Sequence, residues 1–126
     1  MIDHLSVGVS DIDQATAFYD AVLGALGCER MAKMDGLVAY GRDRIEFLAM
    51  LPFDGNASTS GNGVHIAFAA STNEQVDAFH AATLANGGVC DGAPGTRPYP
   101  HAEVYAAYVR DPFGNKLEAL AGGFMG

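Results

Sequence analysis

Residues 4–27 read HLSVGVSDIDQATAFYDAVLGALG, and residues 65–88 read HIAFAASTNEQVDAFHAATLANGG. When the chain is shifted by 61 positions, these two stretches agree at 8 of 24 positions. The identical pairs are His4/His65, Ser10/Ser71, Gln14/Gln75, Ala17/Ala78, Phe18/Phe79, Ala21/Ala82, Leu23/Leu84 and Gly27/Gly88. Self-similarity at one fixed offset indicates two copies of the same structural unit, so the repeat predicts the architecture before any single element is assigned.

Each copy predicts a strand followed by a helix. Residues 2–9 and 64–70 place apolar residues at every second position, which is the period of a strand. Ser10 and Ser71, each with an acidic residue three positions later, predict capping boxes at the two helix starts. Glycines after both helical patterns predict the left-handed turns that end the helices.

Three short strand-like runs follow each helix, so each copy is predicted to be a βαβββ module. They span residues 28–34, 37–40 and 44–51 in the first copy and 89–90, 105–110 and 116–120 in the second. The predicted fold class is α+β, with two βαβββ modules forming a curled, partly open eight-stranded mixed sheet and the helices outside. The chain is predicted to be one domain, divided into module 1 (residues 1–55), a linker (56–62), module 2 (63–121) and a tail (122–126).

The strand alternation predicts where chemistry can occur. Because the apolar residues of the first and fifth strands must face the helices, His4 and His65 point to the opposite, open face. The last strand of each module adds a carboxylate, Glu46 in module 1 and Glu118 in module 2. Two imidazoles and two carboxylates on four strands predict a divalent-metal site in one concavity between the modules.

A Pro- and Gly-rich excursion at residues 91–103 occurs in the second module only. It is predicted to be a lid over the substrate pocket, and its polar side chains are candidates for pocket residues. These candidates are Arg97, Tyr99 and His101. For His101, a role on the loop surface is the alternative.

The acidic composition excludes several classes of partner. The chain has 15 Asp and Glu residues against 7 Lys and Arg, which gives a net charge of −8 at pH 7. Binding to nucleic acids or anionic membranes depends on clustered cations, so neither partner is expected. No apolar run approaches the roughly 18 residues of a membrane helix, and the two cysteines do not suggest a disulfide framework. We expect a cytoplasmic protein that binds a small molecule.

The chain from residue 2 to about residue 120 resembles the vicinal oxygen chelate superfamily, which includes glyoxalase I, extradiol dioxygenases, fosfomycin-resistance enzymes and bleomycin-binding proteins. The resemblance rests on the paired modules, the histidines near the start of strands one and five, and the Asp-Pro-Phe-Gly-Asn turn at residues 111–115 before a glutamate-bearing strand. Metal-dependent members take their ligands from strands one, four, five and eight. The corresponding residues here are His4, Glu46, His65 and Glu118. A dioxygenase-like triad would use three of these and omit Glu46.

The resemblance implies a metal-dependent enzyme of the lyase or isomerase type, acting on a small oxygenated metabolite through a metal-stabilised enediolate. The metal would be Ni, Zn, Mn, Co or Fe, and Glu118 or Glu46 would carry a proton between adjacent carbons of the substrate. Two other functions remain open. A protein of the bleomycin-resistance type would sequester a drug without catalysis, and an Fe(II) extradiol dioxygenase would cleave a catechol ring.

The relatives also imply a homodimer, and the apolar run at residues 119–125 is predicted to pack against another surface. Glyoxalase I-like sequences carry Arg four residues after the first ligand histidine and Asn four residues after the first ligand glutamate. This chain has Gly8 and Met50 at those positions. Because a glutathione adduct carries two carboxylates that need placed cations or amides, such an adduct is predicted not to be the substrate.

Overall fold

The computed structural model describes residues 1–125, and in them two βαβββ modules follow one another. Module 1 contains β1 (Leu5–Gly8), α1 (Ile12–Gly24), β2 (Glu29–Met34), β3 (Leu37–Gly41) and β4 (Ile45–Met50). Module 2 contains β5 (Ile66–Ala70), α2 (Asn73–Ala85), β6 (Val89–Pro98), β7 (Glu103–Arg110) and β8 (Lys116–Ala121). The α+β class and the duplicated module are therefore confirmed.

The eight strands form two four-stranded mixed sheets, with strand orders β1-β4-β3-β2 and β5-β8-β7-β6. In each sheet the first strand of the module runs parallel to the last, and the other pairs are antiparallel. Strands β1 and β5 lie at the edges of their sheets, and within residues 1–125 neither pairs with the other. The two histidine-bearing strands therefore lie at separate, unpaired edges.

One hydrophobic core joins the modules. Helices α1 and α2 pack against each other, and the fully buried Phe18 and Phe79 occupy equivalent places in the repeat. The apolar residues of β1 and β5 pack against this core, as the alternation predicts. Between the sheets, the rings of Phe47 and Phe68 meet edge to face with centroids 5.2 Å apart. The opposite faces of both sheets thus remain available for other contacts.

A buried hydrogen-bonded turn ties module 2 to module 1. Asp111 accepts hydrogen bonds from the Tyr19 hydroxyl at 2.5 Å and from the backbone N–H of Asn115 at 2.8 Å. The Asn115 side chain donates both to Asp111 and, at 2.9 Å, to the carbonyl of Gly8 at the end of β1. Burial, reinforced by the Asp111 carboxylate, raises the pKa of Tyr19 well above its usual value. The 111–115 turn thus acts as a latch between the modules.

The helices begin one residue later than the serine capping boxes predict. Asp11 and Thr72 have extended backbones, and their side chains accept hydrogen bonds from the N–H groups of Gln14 and Gln75. The Gln75 side chain also accepts a hydrogen bond from the backbone N–H of Ser71. The helices can begin one residue later because Asp11 and Thr72 are also good N-cap residues.

Residues 91–98 of the predicted lid excursion form a strand rather than a loop. Strand β6 continues to Pro98 and forms a long hairpin with β7, closed by a turn in which Tyr99 and Ala102 exchange backbone hydrogen bonds. The register shifts on either side of Gly92, so glycine absorbs the irregularity. Prolines are tolerated here because β6 is an edge strand, where a missing N–H leaves no ladder bond unmade.

Candidate functional site

The carboxylate of Glu118 lies at the centre of a hydrogen-bonded cluster on the open face of the second sheet. Although the Glu118 side chain faces away from the main core, the residue is only 2% exposed. Its Oε1 lies 3.2 Å from Nε2 of His65, and its Oε2 accepts a hydrogen bond from the Tyr99 hydroxyl. The Tyr99 hydroxyl in turn lies 2.6 Å from the hydroxyl of Tyr108. A buried acid is thus surrounded by three groups able to move or donate a proton.

The proton directions in this cluster follow from the number of donors. Tyr99 has a single hydroxyl proton, and it donates that proton to Glu118. The hydrogen bond between the two tyrosines must therefore run from Tyr108 to Tyr99. Burial, followed by the hydrogen bond to Glu118, raises the pKa of Tyr99. Tyr99 is therefore a persistent donor to Glu118 at neutral pH.

The cover over Glu118 comes from the β6–β7 turn and the C-terminal tail. Tyr99 and Ala102 pack against a small cluster of buried side chains on this face of the sheet. The Phe124 ring lies on Tyr99, with centroids 5.4 Å apart. Phe124 remains 59% exposed, so its contact with Tyr99 leaves most of that ring uncovered.

The predicted module 1 ligands lie on the surface. The His4 side chain is 57% exposed, and its Nδ1 lies 2.7 Å from a carboxylate oxygen of Asp3. Glu46 is 61% exposed and lies 3.6 Å from Arg44, which also contacts Asp3 at 3.1 Å. The hydrogen bond from His4, together with the charge of Arg44, lowers the pKa of Asp3. These side chains form an exposed ion-pair network.

The strand register distinguishes Glu46 from Glu118. In module 2, Glu118 is the partner of Ala67 across the parallel pair of strands. The repeat offset of 61 makes Ser6 the equivalent of Ala67, and the partner of Ser6 is Leu48. Leu48 therefore occupies the place in module 1 that Glu118 occupies in module 2. Glu46 lies two residues earlier, at the place equivalent to Lys116.

The four predicted ligands do not converge within one chain, so the expectation that His4 and Glu46 join His65 and Glu118 in one concavity is wrong for the single chain. Across residues 1–125, no group of three or more His, Cys, Asp or Glu side chains is arranged to hold a metal ion. The physical reason is the sheet topology, because β1 and β5 end at separate edges. The structure brings together one pair, His65 and Glu118.

The three candidate lid residues have different environments. Tyr99 contacts Glu118 directly, whereas His101 is exposed in the β6–β7 turn. Arg97 is half-buried on β6, with its guanidinium carbon 5.9 Å from the centre of the Tyr108 ring. Tyr108, which contacts Tyr99, is absent from the set of site residues predicted from the sequence. A signal for it exists, because Tyr108 lies directly opposite Glu118 in the β7–β8 pair.

A cavity of about 330 Å³ opens between the modules, and Glu118 is not among its lining residues. Leu5, Phe47 and Phe68 form part of its apolar wall, and Arg44 and Glu46 are also among its lining residues. The half-buried Cys28 thiol also contributes to its wall, and burial raises the pKa of that thiol. The cavity therefore adjoins the ion pairs of module 1, and it extends to Ala67, the strand partner of Glu118.

The duplicated βαβββ fold, with an imidazole and a carboxylate meeting on an open sheet face, defines a class of two-module proteins with a small-molecule site. Residues 1–119 match the family model described as the glyoxalase/bleomycin resistance protein/dioxygenase superfamily. The chain belongs to this superfamily. No helix in the described part of the chain is long and apolar enough to cross a membrane.

Solved structures support the same assignment. A glyoxalase/bleomycin resistance protein from Albidiferax ferrireducens T118 is 43% identical, with a TM-score of 0.91 over 96% of this chain and 98% of that one. A lactoylglutathione lyase from Agrobacterium tumefaciens is 25% identical, with a TM-score of 0.66 over 97% of this chain and 93% of that one. A glyoxalase-related enzyme from Fulvimarina pelagi, 19% identical over 97% of this chain and 88% of that one, shares the fold at a TM-score of 0.76. No functionally curated protein matches this chain.

Proposed function

We propose that this protein is a metal-dependent enzyme of the lyase or isomerase type, acting on a small oxygenated metabolite other than a glutathione adduct. The observation that carries the proposal is the His65–Glu118 pair, in which a buried carboxylate lies 3.2 Å from an imidazole nitrogen. Imidazole and carboxylate are the donors that Zn, Ni, Co, Mn and Fe accept in proteins. The adjacent β5 residues on the same face are Ala67 and Ala69, which leave room for a ligand.

One chain alone does not provide enough ligands for such an ion. A catalytic site of this type takes three protein ligands and keeps a position open, and module 2 supplies two. The remaining imidazole of the repeat, His4, begins the other unpaired edge of the fold. We therefore propose that a second copy of the chain supplies His4. Glu46 is not proposed as a ligand, because the strand register puts Leu48 at the position equivalent to Glu118. Glu46 instead forms a surface ion pair with Arg44.

The surfaces proposed to meet are the edges of β1 and β5. Both edges have unpaired backbone groups, and the exposed apolar side chains Ile2 and Val64 lie next to them. Unpaired edges of this kind pair readily with another chain. A twofold dimer that docks β1 of each copy on β5 of the other is self-complementary and produces two equivalent sites. Each site would then combine His4 of one copy with His65 and Glu118 of the other.

The residues of module 2 have separate roles in the proposed reaction. When bound, the metal supplies Lewis acidity to two neighbouring oxygens of the substrate. Glu118 accepts and returns a proton at its carboxylate oxygens, and the Tyr99 hydroxyl donates to that carboxylate and holds its orientation. Tyr108 orients Tyr99 through the hydrogen bond between the two hydroxyls. Phe124 and the β6–β7 turn keep water away from the carboxylate.

The protein loaded separately with Ni, Co, Zn and Mn is expected to bind metal and not to turn over the methylglyoxal–glutathione adduct. The reason is that Gly8 stands where glyoxalase I-like sequences provide Arg, and neither Met50, four residues after Glu46, nor Pro52, four residues after Leu48, is the Asn that they provide. We expect kcat/KM below about 10³ M⁻¹s⁻¹, tenfold under the lower end for ordinary enzymes. Turnover above that value with any of the four metals would contradict this part of the proposal. Failure of all four metals to bind would instead favour a binding protein that sequesters a small molecule.

One observation favours a second candidate, the Fe(II) extradiol dioxygenase. With Leu48 in place of a fourth ligand, the proposed set of His4, His65 and Glu118 is two histidines and one carboxylate, which is typical of non-haem Fe(II) oxygenases. Oxygen uptake with catechol under Fe(II) separates the two candidates. Consumption of oxygen with ring cleavage would replace the isomerase proposal by this one.

A further inference from the structure

We infer that Arg97, assisted by Lys116, binds a carboxylate of the substrate beside Glu118, so that the substrate is a small monocarboxylate with adjacent oxygens. The inference rests on the proposed function for the place of catalysis, and it adds the chemical class of the substrate. It is carried by the position of Arg97, whose guanidinium lies beside the Tyr108 ring on the face of the sheet that holds Glu118.

In the described part of the chain, the hydrogen bonds of the Arg97 guanidinium go only to backbone carbonyls. Its Nη2 donates to the carbonyl of Ala93 at 2.6 Å, and its Nη1 lies 3.5 Å from the carbonyl of Thr96. Among residues 1–125 no carboxylate lies within 4.0 Å of it, whereas Arg30, Arg44 and Arg110 each have a carboxylate neighbour within that distance. Arg42 also donates to a backbone carbonyl, that of Leu26, but it lies in module 1. A half-buried guanidinium with this bonding retains N–H groups for an anion.

The backbone around Arg97 leaves space for its head group. A Cβ atom added to Gly95 would lie 3.1 Å from Nη1 of Arg97, and one added to Gly92 would lie 3.0 Å from the Tyr108 ring. Both glycines belong to the segment where the β6–β7 register shifts. Because Gly92 and Gly95 have no side chains, the guanidinium can lie near Tyr108. The positive charge of Arg97 is thereby held at a defined position on β6.

Tyr108 links this charge to the proposed catalytic groups. Lys116 Nζ lies 5.4 Å from the centre of the Tyr108 ring, and the His65 ring centre lies 6.3 Å from it. The Tyr108 hydroxyl reaches Tyr99, which donates to Glu118. Lys116 also lies 3.6 Å from Asp91, so it is partly neutralised, and Arg97 is the principal anchor.

The charges around Tyr108 nearly balance, whereas the whole chain carries −8. Arg97 and Lys116 lie beside the Tyr108 ring, and the carboxylates of Glu118 and Asp91 lie close to this group. An anionic ligand is therefore repelled less here than the net charge of the protein implies. A single unpaired guanidinium matches one carboxylate, which it can bind through two parallel hydrogen bonds. A substrate with one carboxylate fits this site better than a glutathione adduct with two.

The test uses the full chain freed of metal, with glycolate as the carboxylate probe and glycolamide as its neutral counterpart. In ¹⁵N NMR spectra, glycolate is expected to shift the Arg97 Nε–Hε resonance, and glycolamide is expected to leave it in place. Arg97→Gln should weaken glycolate binding at least about tenfold, the usual effect of losing a charge-assisted hydrogen bond. Arg97→Lys should retain part of the affinity. Arg30→Gln makes the same charge change on β2 of module 1 and should alter affinity by less than about twofold.

Several results would overturn the inference. These are no response to glycolate, equal responses to glycolate and glycolamide, or equal weakening by Arg97→Gln and Arg30→Gln. Metal titrations of the wild-type and Arg97→Gln proteins are measured separately and should agree. A protein that binds glycolate through Arg97 and takes up no metal would reject the proposed function while leaving this inference intact. A protein that binds metal and does not bind glycolate would reject this inference while leaving the proposed function intact.

Discussion

Replacing Glu118 by glutamine is expected to reduce the affinity for divalent metal by at least about 100-fold, because a neutral amide oxygen replaces an ionised ligand. The change preserves the shape of the side chain, so the hydrogen bond from Tyr99 retains an acceptor. The fold should therefore survive, since the carboxylate lies on the open face rather than in the main core. Calorimetric titration with Co²⁺, together with a thermal unfolding curve, measures both quantities.

Glu103→Gln is the matched control for this substitution. Glu103 is exposed at the start of β7, and its replacement makes the same charge change in the same module. It should bind Co²⁺ like the wild type. If Glu118→Gln binds Co²⁺ as tightly as Glu103→Gln does, Glu118 is not a ligand and the metal-dependent proposal fails.

Replacing Asp111 by alanine is expected to lower the free energy of unfolding by at least about 3 kcal/mol, since hydrogen bonds to a charged group contribute about 1.5–3 kcal/mol each. The substitution removes the acceptor for Tyr19, for the backbone N–H of Phe113 and Asn115, and for the Asn115 amide. The buried Tyr19 hydroxyl would then lose its hydrogen-bond acceptor, and the Asn115 amide would keep only its hydrogen bond to Gly8. Urea unfolding followed by circular dichroism gives the difference.

Asp35→Ala provides the comparison for Asp111→Ala. Asp35 is exposed in the turn between β2 and β3, so its loss should change stability by less than about 0.5 kcal/mol. If Asp111→Ala destabilises the protein by less than about 1 kcal/mol, the 111–115 turn is not the latch between the modules.

The repeat predicted the elements well because each copy contains a strand, a capped helix and turns that follow local rules. The same local rules did not predict the β6–β7 hairpin. Pro94 and Pro98 suggest a loop in isolation, and they fit a strand only because β6 is an edge. The two helix caps lie one residue after the predicted Ser10 and Ser71, because Asp11 and Thr72 are also preferred N-cap residues.

The site was predictable only in part, because alternation assigns a side chain to a face and does not say which edges meet. His65 and Glu118 lie on one face of one sheet, and they do meet. His4 also lies on an open face, but the helices pack the modules so that its edge is separate from that of β5. Leu48 shows a further limit, since only the strand register reveals that Glu46 is two residues away from the place of Glu118.

The most direct test of the central claim, that two copies share each metal site, is complementation between two defective chains. His4→Ala and Glu118→Gln are expressed together with different affinity tags, and the mixed dimer is isolated by two-step purification. In that dimer one site should be intact, because the Glu118→Gln chain supplies His4 and the His4→Ala chain supplies His65 and Glu118. We expect one Co²⁺ per mixed dimer, two per wild-type dimer and none in either variant alone. Failure to form a mixed dimer, or a mixed dimer that binds no Co²⁺, would contradict the account.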